Sequence, residues 1–166
     1  TKNFLKNNIS HLNDVAPERI KTEVLKIVNS EWNSSICKTY SELKLLRNWH
    51  QNNIDQIEMQ KKDIFSEELI NARPLARLIC LISDEGLSQL TFSKNEIKRC
   101  KNLRFWVQKI NSFGLENFSE DERLQLHIDL GNDLPSLILF LKEKYIDEWL
   151  QRWKDPSDPL FHPSCP

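Results

Sequence analysis

The segment 94–113 carries basic side chains at helical spacing around one aromatic ring. A helix over this segment places Phe105 among the basic residues of one face, which are Lys94, Lys98, Lys101, Arg104 and Lys109. Glu96 is the only acidic residue of the segment. Such cations neutralise backbone phosphates, and an exposed ring stacks on a base or sugar, so this face is a candidate RNA-binding surface. The alternative is an ordinary solvated face whose Phe105 fills a groove in a neighbouring helix.

Residue patterns that would perform catalysis are absent from the sequence. Two-metal nucleotidyl transfer needs closely spaced carboxylates and a turn that grips a triphosphate, but neither Asp-x-Asp nor Gly-Ser occurs. The acidic run 120–122 favours a helix N-terminus rather than a metal. The histidines stand apart and form no metal-binding pattern: His11, His50, His127 and His162. We expect no catalytic residue, no metal ligand and no cofactor in this chain.

The segment 17–29 predicts an amphipathic helix with a clear start. Pro17 suits the first helical position, since its missing N–H would be unpaired there, and Glu18 favours the positive end of the dipole. Ala16 offers no capping hydroxyl. The expected apolar stripe is Ile20, Val24, Ile27 and Val28.

Further helices are predicted along the rest of the chain. Capping boxes start helices at Ser93 and Ser119, and these helices end before Gly114 and Gly131. Other expected helices cover 2–12, 34–49, an apolar segment 73–83 and a last helix 134–153 capped by Asp133, while 51–68 is ambiguous. The class is all-α, an irregular bundle of about seven to eight helices. Residues 1–50 and 51–166 form two regions of one continuous unit.

Composition limits the setting of the protein. The net charge is −1 and the pI is near 6.4, so any RNA contact must be a local patch. No apolar run reaches the roughly 18–20 residues of a membrane span, and no signal-peptide pattern opens the chain. Cys80 and Cys100 lie among core-type residues and are expected to be buried free thiols. These features favour a cytoplasmic protein with no membrane contact.

Three segments resemble one enzyme family. The first reads Pro17-Glu18-Arg19-Ile20, followed by Glu23 and Leu25-Lys26-Ile27, and is similar to the end of the neck in class II tRNA nucleotidyltransferases and their poly(A) polymerase relatives. The second is Asp158-Pro159-Leu160-Phe161-His162-Pro163, and a weaker third is Arg73-Pro74-Leu75-Ala76-Arg77-Leu78. Together they span most of the chain in the family's order.

The resemblance implies a helical neck and body that binds tRNA or other RNA 3′ ends. The catalytic head, which would hold Mg and ATP or CTP, is expected N-terminal to this chain and would be its partner. Glu18, Arg19 and Glu23 then form a structural neck motif. Two roles are open for Arg19: a contact near the nucleotide or the tRNA acceptor end, or a structural ion pair or helix-turn hydrogen bond with Glu18 or Glu23, and the second is favoured because the segment resembles a brace for the neck. The residues do not distinguish CCA addition, A addition and poly(A) synthesis. The alternative function is a helical scaffold that binds a protein partner and has no RNA role.

Overall fold

The computed structural model describes residues 11, 14–30, 49 and 67–155. Within these residues the chain is 83% helical and contains no strand, which confirms the all-α class there. Six helices have six residues or more, against the seven to eight predicted for the whole chain. They are α1 (Pro17–Asn29), α2 (Glu67–Leu81), α3 (Asp84–Gln89), α4 (Lys94–Phe113), α5 (Glu120–Leu130) and α7 (Glu143–Lys154), with a five-residue α6 (Leu134–Ile138) before the last.

Helix α1 has the predicted bounds and the predicted start. Pro17 opens it, and Ala16 makes no side-chain capping bond. Ile20, Val24 and Val28 are buried against the core, where α1 packs on α2.

Helix α2 begins earlier than the sequence indicates. It starts at Glu67 rather than Arg73, so Pro74 lies inside the helix, where it removes the bond to the carbonyl of Ile70. The apolar residues of this segment lie in the core, since residues 76–81 are all buried. The Arg77 guanidinium is buried as well and donates to the carbonyls of Val28 at 2.9 Å and Ser30 at 2.7 Å. Arg77 thereby binds the carboxyl end of α1 to α2.

Helix α3 was not predicted from the sequence. The Ser83 hydroxyl accepts a bond from Gly86 N at 3.0 Å and caps its start. At its end Phe92 N donates to Leu87 O and Thr91 N donates to Ser88 O, the two bonds of a Schellman motif. Thr91 takes the left-handed conformation of that motif, with φ of +62°, where glycine is usual.

The predicted capping boxes of α4 and α5 are both formed. Ser93 and Glu96 bond reciprocally at the start of α4, as do Ser119 and Glu122 at the start of α5. The helices end before Gly114 and Gly131, which have φ of +77° and +50°.

The prediction of one long final helix is wrong. The chain forms α6, leaves the helix over residues 139–142 and restarts at Glu143. All five residues of α6 are buried, and Leu141 after them is buried too, so this apolar stretch follows the core instead of continuing as a one-sided helix. Asp133 does not cap α6 with its side chain, because its carboxylate accepts two bonds from Arg99 at 2.8 and 2.7 Å.

Cys80 and Cys100 are buried, as predicted, and Cys100 is a free thiol. Burial raises the pKa of the Cys100 thiol to about 12. Across the described ranges no helix is long and apolar enough to cross a membrane. The helices predicted at 2–12 and 34–49, the segment 51–66 and the motif 158–163 lie outside the described residues.

Candidate nucleic-acid interface

Helix α4 has one face in the core and one in solvent. Its buried apolar side chains are Cys100, Leu103, Trp106 and Val107, where the helix packs on α2, α3, α5 and α6. Lys94, Lys98, Lys101 and Phe105 are exposed, and helical geometry places them within an arc of about 60° over about 16 Å of the axis. We call these four residues the lysine stripe.

Phe105 ends the lysine stripe and is open to solvent. Its side chain is 55% exposed, so it does not fill a groove in a neighbouring helix. Its ring lies edge-to-face with Trp106 at 5.2 Å between centroids and 80° between planes. Trp106 is buried and donates a hydrogen bond to the Asp129 carboxylate at 3.0 Å. The Phe105 ring therefore packs against a side chain that is itself held in place.

The prediction that Arg104 belongs to the exposed basic face is wrong. Arg104 is only 6% exposed, and its guanidinium donates to Ile79 O at 2.6 Å and Ile82 O at 2.7 Å. It also pairs with the Asp84 carboxylate at 3.2 Å. Arg104 therefore joins the end of α2 to the start of α3 and has no donor arrangement directed at solvent.

Lys109 is also held within the protein. Its side chain is 25% exposed, and its ammonium lies 2.8 Å from the Glu122 carboxylate. The same ammonium lies 5.0 Å from the Trp106 ring centroid and 5.4 Å from that of Phe118. The bond from Lys109 lowers the pKa of Glu122 below its usual value, so the ion pair persists at neutral pH. Lys109 thus differs from the three lysines of the stripe.

The neck motif residues Glu18, Arg19 and Glu23 are exposed on α1. The expected pairing of Arg19 with Glu18 or Glu23 is not formed, because Glu23 pairs with Lys26 at 2.8 Å and Arg19 lies in solvent. Sequence reasoning missed Lys21 on the same helix. Its ammonium lies 3.4 Å from both the Glu96 carboxylate and the Thr91 carbonyl, which fixes α1 to the start of α4.

Residues that would hold a metal are not grouped in the described part of the chain. No three His, Cys, Asp or Glu side chains lie together there as a metal site. His127 is half-buried, and its ring stacks on Trp149 with 5.6 Å between the ring centroids.

Comparison with family models, with curated proteins and with solved structures finds no match to this chain.

Proposed function

We propose that this chain is the RNA-binding neck and body of a nucleotidyltransferase that extends RNA 3′ ends, with tRNA as its substrate. The proposal combines the sequence resemblance at 17–27 with the lysine stripe on α4. Mg and ATP or CTP would be bound by a separate catalytic head, the chain's partner. The chain would work in the cytoplasm, and residues 1–50 and 51–166 would form one unit.

The observation that carries the proposal is the unopposed positive charge of the stripe. Lys94, Lys98 and Lys101 form no ion pair within the described residues. Glu96, the one acid of α4, is turned to Ser93 and Lys21; burial disfavours its charge, but bonds from those two residues still lower its pKa. A run of free cations along about 10 Å of helix is suited to successive phosphates of one RNA backbone.

The neck motif supports the same arrangement in a structural role. Helix α1 is fixed to the start of α4 by Lys21 and to α2 by Arg77. Glu18, Arg19 and Glu23 lie on its exposed side. They remain available to brace α1 against another part of the parent enzyme, which is the role that the resemblance implies.

Charge reversal tests the proposal. Lys98→Glu combined with Lys101→Glu should weaken tRNA binding strongly and lower its salt slope by about two, because two phosphate contacts are lost. Lys142→Glu with Lys144→Glu is the matched control, since both lysines are exposed and lie outside α4. The control should bind as the unmodified chain does. Equal binding by the stripe variant, with its fold intact, would contradict the proposal.

A protein-binding scaffold is the second candidate function. Ile128 is 67% exposed and Phe113 is 65% exposed, and a protein partner could cover these side chains without using the lysines. In that case the stripe variant would leave tRNA binding unchanged, whereas Ile128→Lys would abolish capture of the partner.

The isolated chain should not transfer nucleotides. It lacks the Asp-x-Asp pair and the Gly-Ser turn that two-metal nucleotidyl transfer requires. Incubation with tRNA, Mg and labelled ATP or CTP should give no incorporation above a protein-free control. Incorporation that a chelator abolishes would show that the chain carries its own catalytic residues.

A further inference from the structure

We infer that the lysine stripe takes a single-stranded RNA segment with an unstacked base, in preference to a duplex. The inference rests on the proposed function and specifies which part of an RNA the stripe contacts. It depends on the order of side chains along α4, in which three free lysines are followed by one exposed ring.

Phe105 supplies the selectivity. More than half of its side chain is exposed, and its edge-to-face contact with Trp106 restricts the ring on the protein side. Within a duplex the faces of each base are covered by its neighbours, so a surface ring meets sugars, phosphates and base edges but no free base face. A base in a single strand exposes its π-face, and stacking of that face on an aromatic side chain is a usual mode of single-strand binding.

The charges of α4 restrict the path of the RNA backbone to the part of the helix beside this ring. Lys94, Lys98 and Lys101 are free among the described residues, whereas Arg104 and Lys109 are bound internally. The backbone is therefore held on the amino-terminal side of Phe105, and a base that turns inwards at the end of this track meets the ring. A purely electrostatic surface would have no need of an exposed phenylalanine at that place.

An acidic protein segment is the competing occupant. It would satisfy the lysines, but its carboxylates gain little from stacking on Phe105. The two occupants therefore differ in how far binding depends on the ring.

The experiment measures binding of the full chain to a polyglutamate peptide and to three RNA probes. They are a single-stranded oligonucleotide of about ten nucleotides, a hairpin duplex of the same composition, and the single strand with abasic sugars; the length is within the usual range of about 4–16 for such sites. The variants are Phe105→Ala, Phe105→Trp and the matched control Phe113→Ala, which removes another exposed ring of α4. Urea unfolding checks that each variant is folded.

We expect the single strand to bind more tightly than the duplex. Phe105→Ala should weaken binding of the single strand about 5- to 100-fold, while Phe105→Trp and Phe113→Ala should retain it. The abasic strand should bind the unmodified chain about as weakly as the intact strand binds Phe105→Ala. Combining the two changes should add little, because both remove the same stacking contact.

The failures of the two proposals can be told apart. Equal binding of duplex and strand, or no effect of Phe105→Ala, overturns the single-strand inference, and the proposed function still stands if reversal of Lys98 and Lys101 abolishes binding of both. If neither RNA binds, or if a polyglutamate peptide binds as tightly as the strand, both proposals fall and an acidic protein partner is favoured.

Discussion

The two halves of α4 contain similar cations that have different surroundings. In the first half Lys94, Lys98 and Lys101 extend into solvent, while Arg99, which lies off the lysine stripe, bonds to the Asp133 carboxylate. In the second half Arg104 donates to carbonyls at the end of α2, and the Lys109 ammonium lies near three aromatic rings and a carboxylate. Spacing and sign along a helix therefore do not determine which cations a ligand can reach. The neighbouring elements determine it.

Those neighbours are α3 and the segment that follows α4. Helix α3 packs beside α4 and brings Asp84 to Arg104. After Gly114 the chain folds back, so that Phe118 and Glu122 lie against Lys109. Among the described residues, no element covers the lysine stripe in the first half of α4 in this way.

Removal of the Arg104 side chain should have the largest effect. Arg104→Ala leaves the carbonyls of Ile79 and Ile82 without their buried donor, and we expect a loss of about 3–5 kcal/mol in the free energy of unfolding, measured in urea. Lys98→Ala is the matched control on the same helix and should change stability by less than about 0.5 kcal/mol. Equal effects of the two variants would remove the distinction between the halves.

Replacement of Lys109 should have an intermediate effect. Lys109→Met keeps the aliphatic stem but removes the ammonium from the Trp106 and Phe118 rings, which should cost about 1 kcal/mol. The variant also loses the ion pair with Glu122. Because Lys109 lowers the folded-state pKa of Glu122, the stabilisation from this ion pair is present above the unfolded pKa and is lost as pH falls through the folded pKa.

The pH dependence provides a second check on Lys109. Between about pH 6 and about pH 3, the unmodified chain should lose more stability than Lys109→Met does, because the variant no longer has the bond that lowers the Glu122 pKa. Urea unfolding at each pH measures this difference. Parallel pH profiles would show that the ion pair contributes nothing.

A change at Thr91 should have the smallest effect and the opposite sign. Thr91→Gly relieves a branched residue in the left-handed region and should stabilise the chain by about 0.5–1 kcal/mol after the entropy cost of glycine. Thr91→Ala retains a Cβ and should gain less. Because Thr91 precedes the lysine stripe and contributes only its carbonyl to Lys21, neither variant should alter RNA binding. A lower melting temperature for Thr91→Gly would show that the side chain is needed.

Residues that mark a helix end in the sequence predicted the corresponding helices correctly. Pro17 at the start of α1 and the boxes at Ser93 and Ser119 act through neighbouring backbone groups, so their effects can be deduced from a few residues. Helix α3 was not predicted because it has only six residues and because its end is followed by Thr91 in the left-handed conformation, where a glycine would have marked the stop. The break after α6 depends on the burial of several apolar side chains, which the local pattern does not determine.

The candidate site could be predicted from the sequence only where it depends on local pattern. The exposure of the lysine stripe follows from the helical period of α4. The burial of Arg104 follows from the end of α2, whose carbonyls accept two of its bonds, and from Asp84 at the start of α3. The burial of Lys109 follows from the return of Phe118 and Glu122. Arg104 was assigned to the wrong environment because the helical period of α4 does not show which carbonyls of other elements lie beside it.

The most direct test compares the salt dependence of RNA binding for one lysine from each half of α4. Lys98→Gln should reduce the slope of log affinity against log salt by about 0.7–0.9 and leave the urea midpoint unchanged. Lys109→Gln should leave the slope unchanged and lower the midpoint. The opposite pattern would contradict the division of α4 into a binding half and a structural half. In that pattern Lys109→Gln reduces the slope and Lys98→Gln leaves it unchanged.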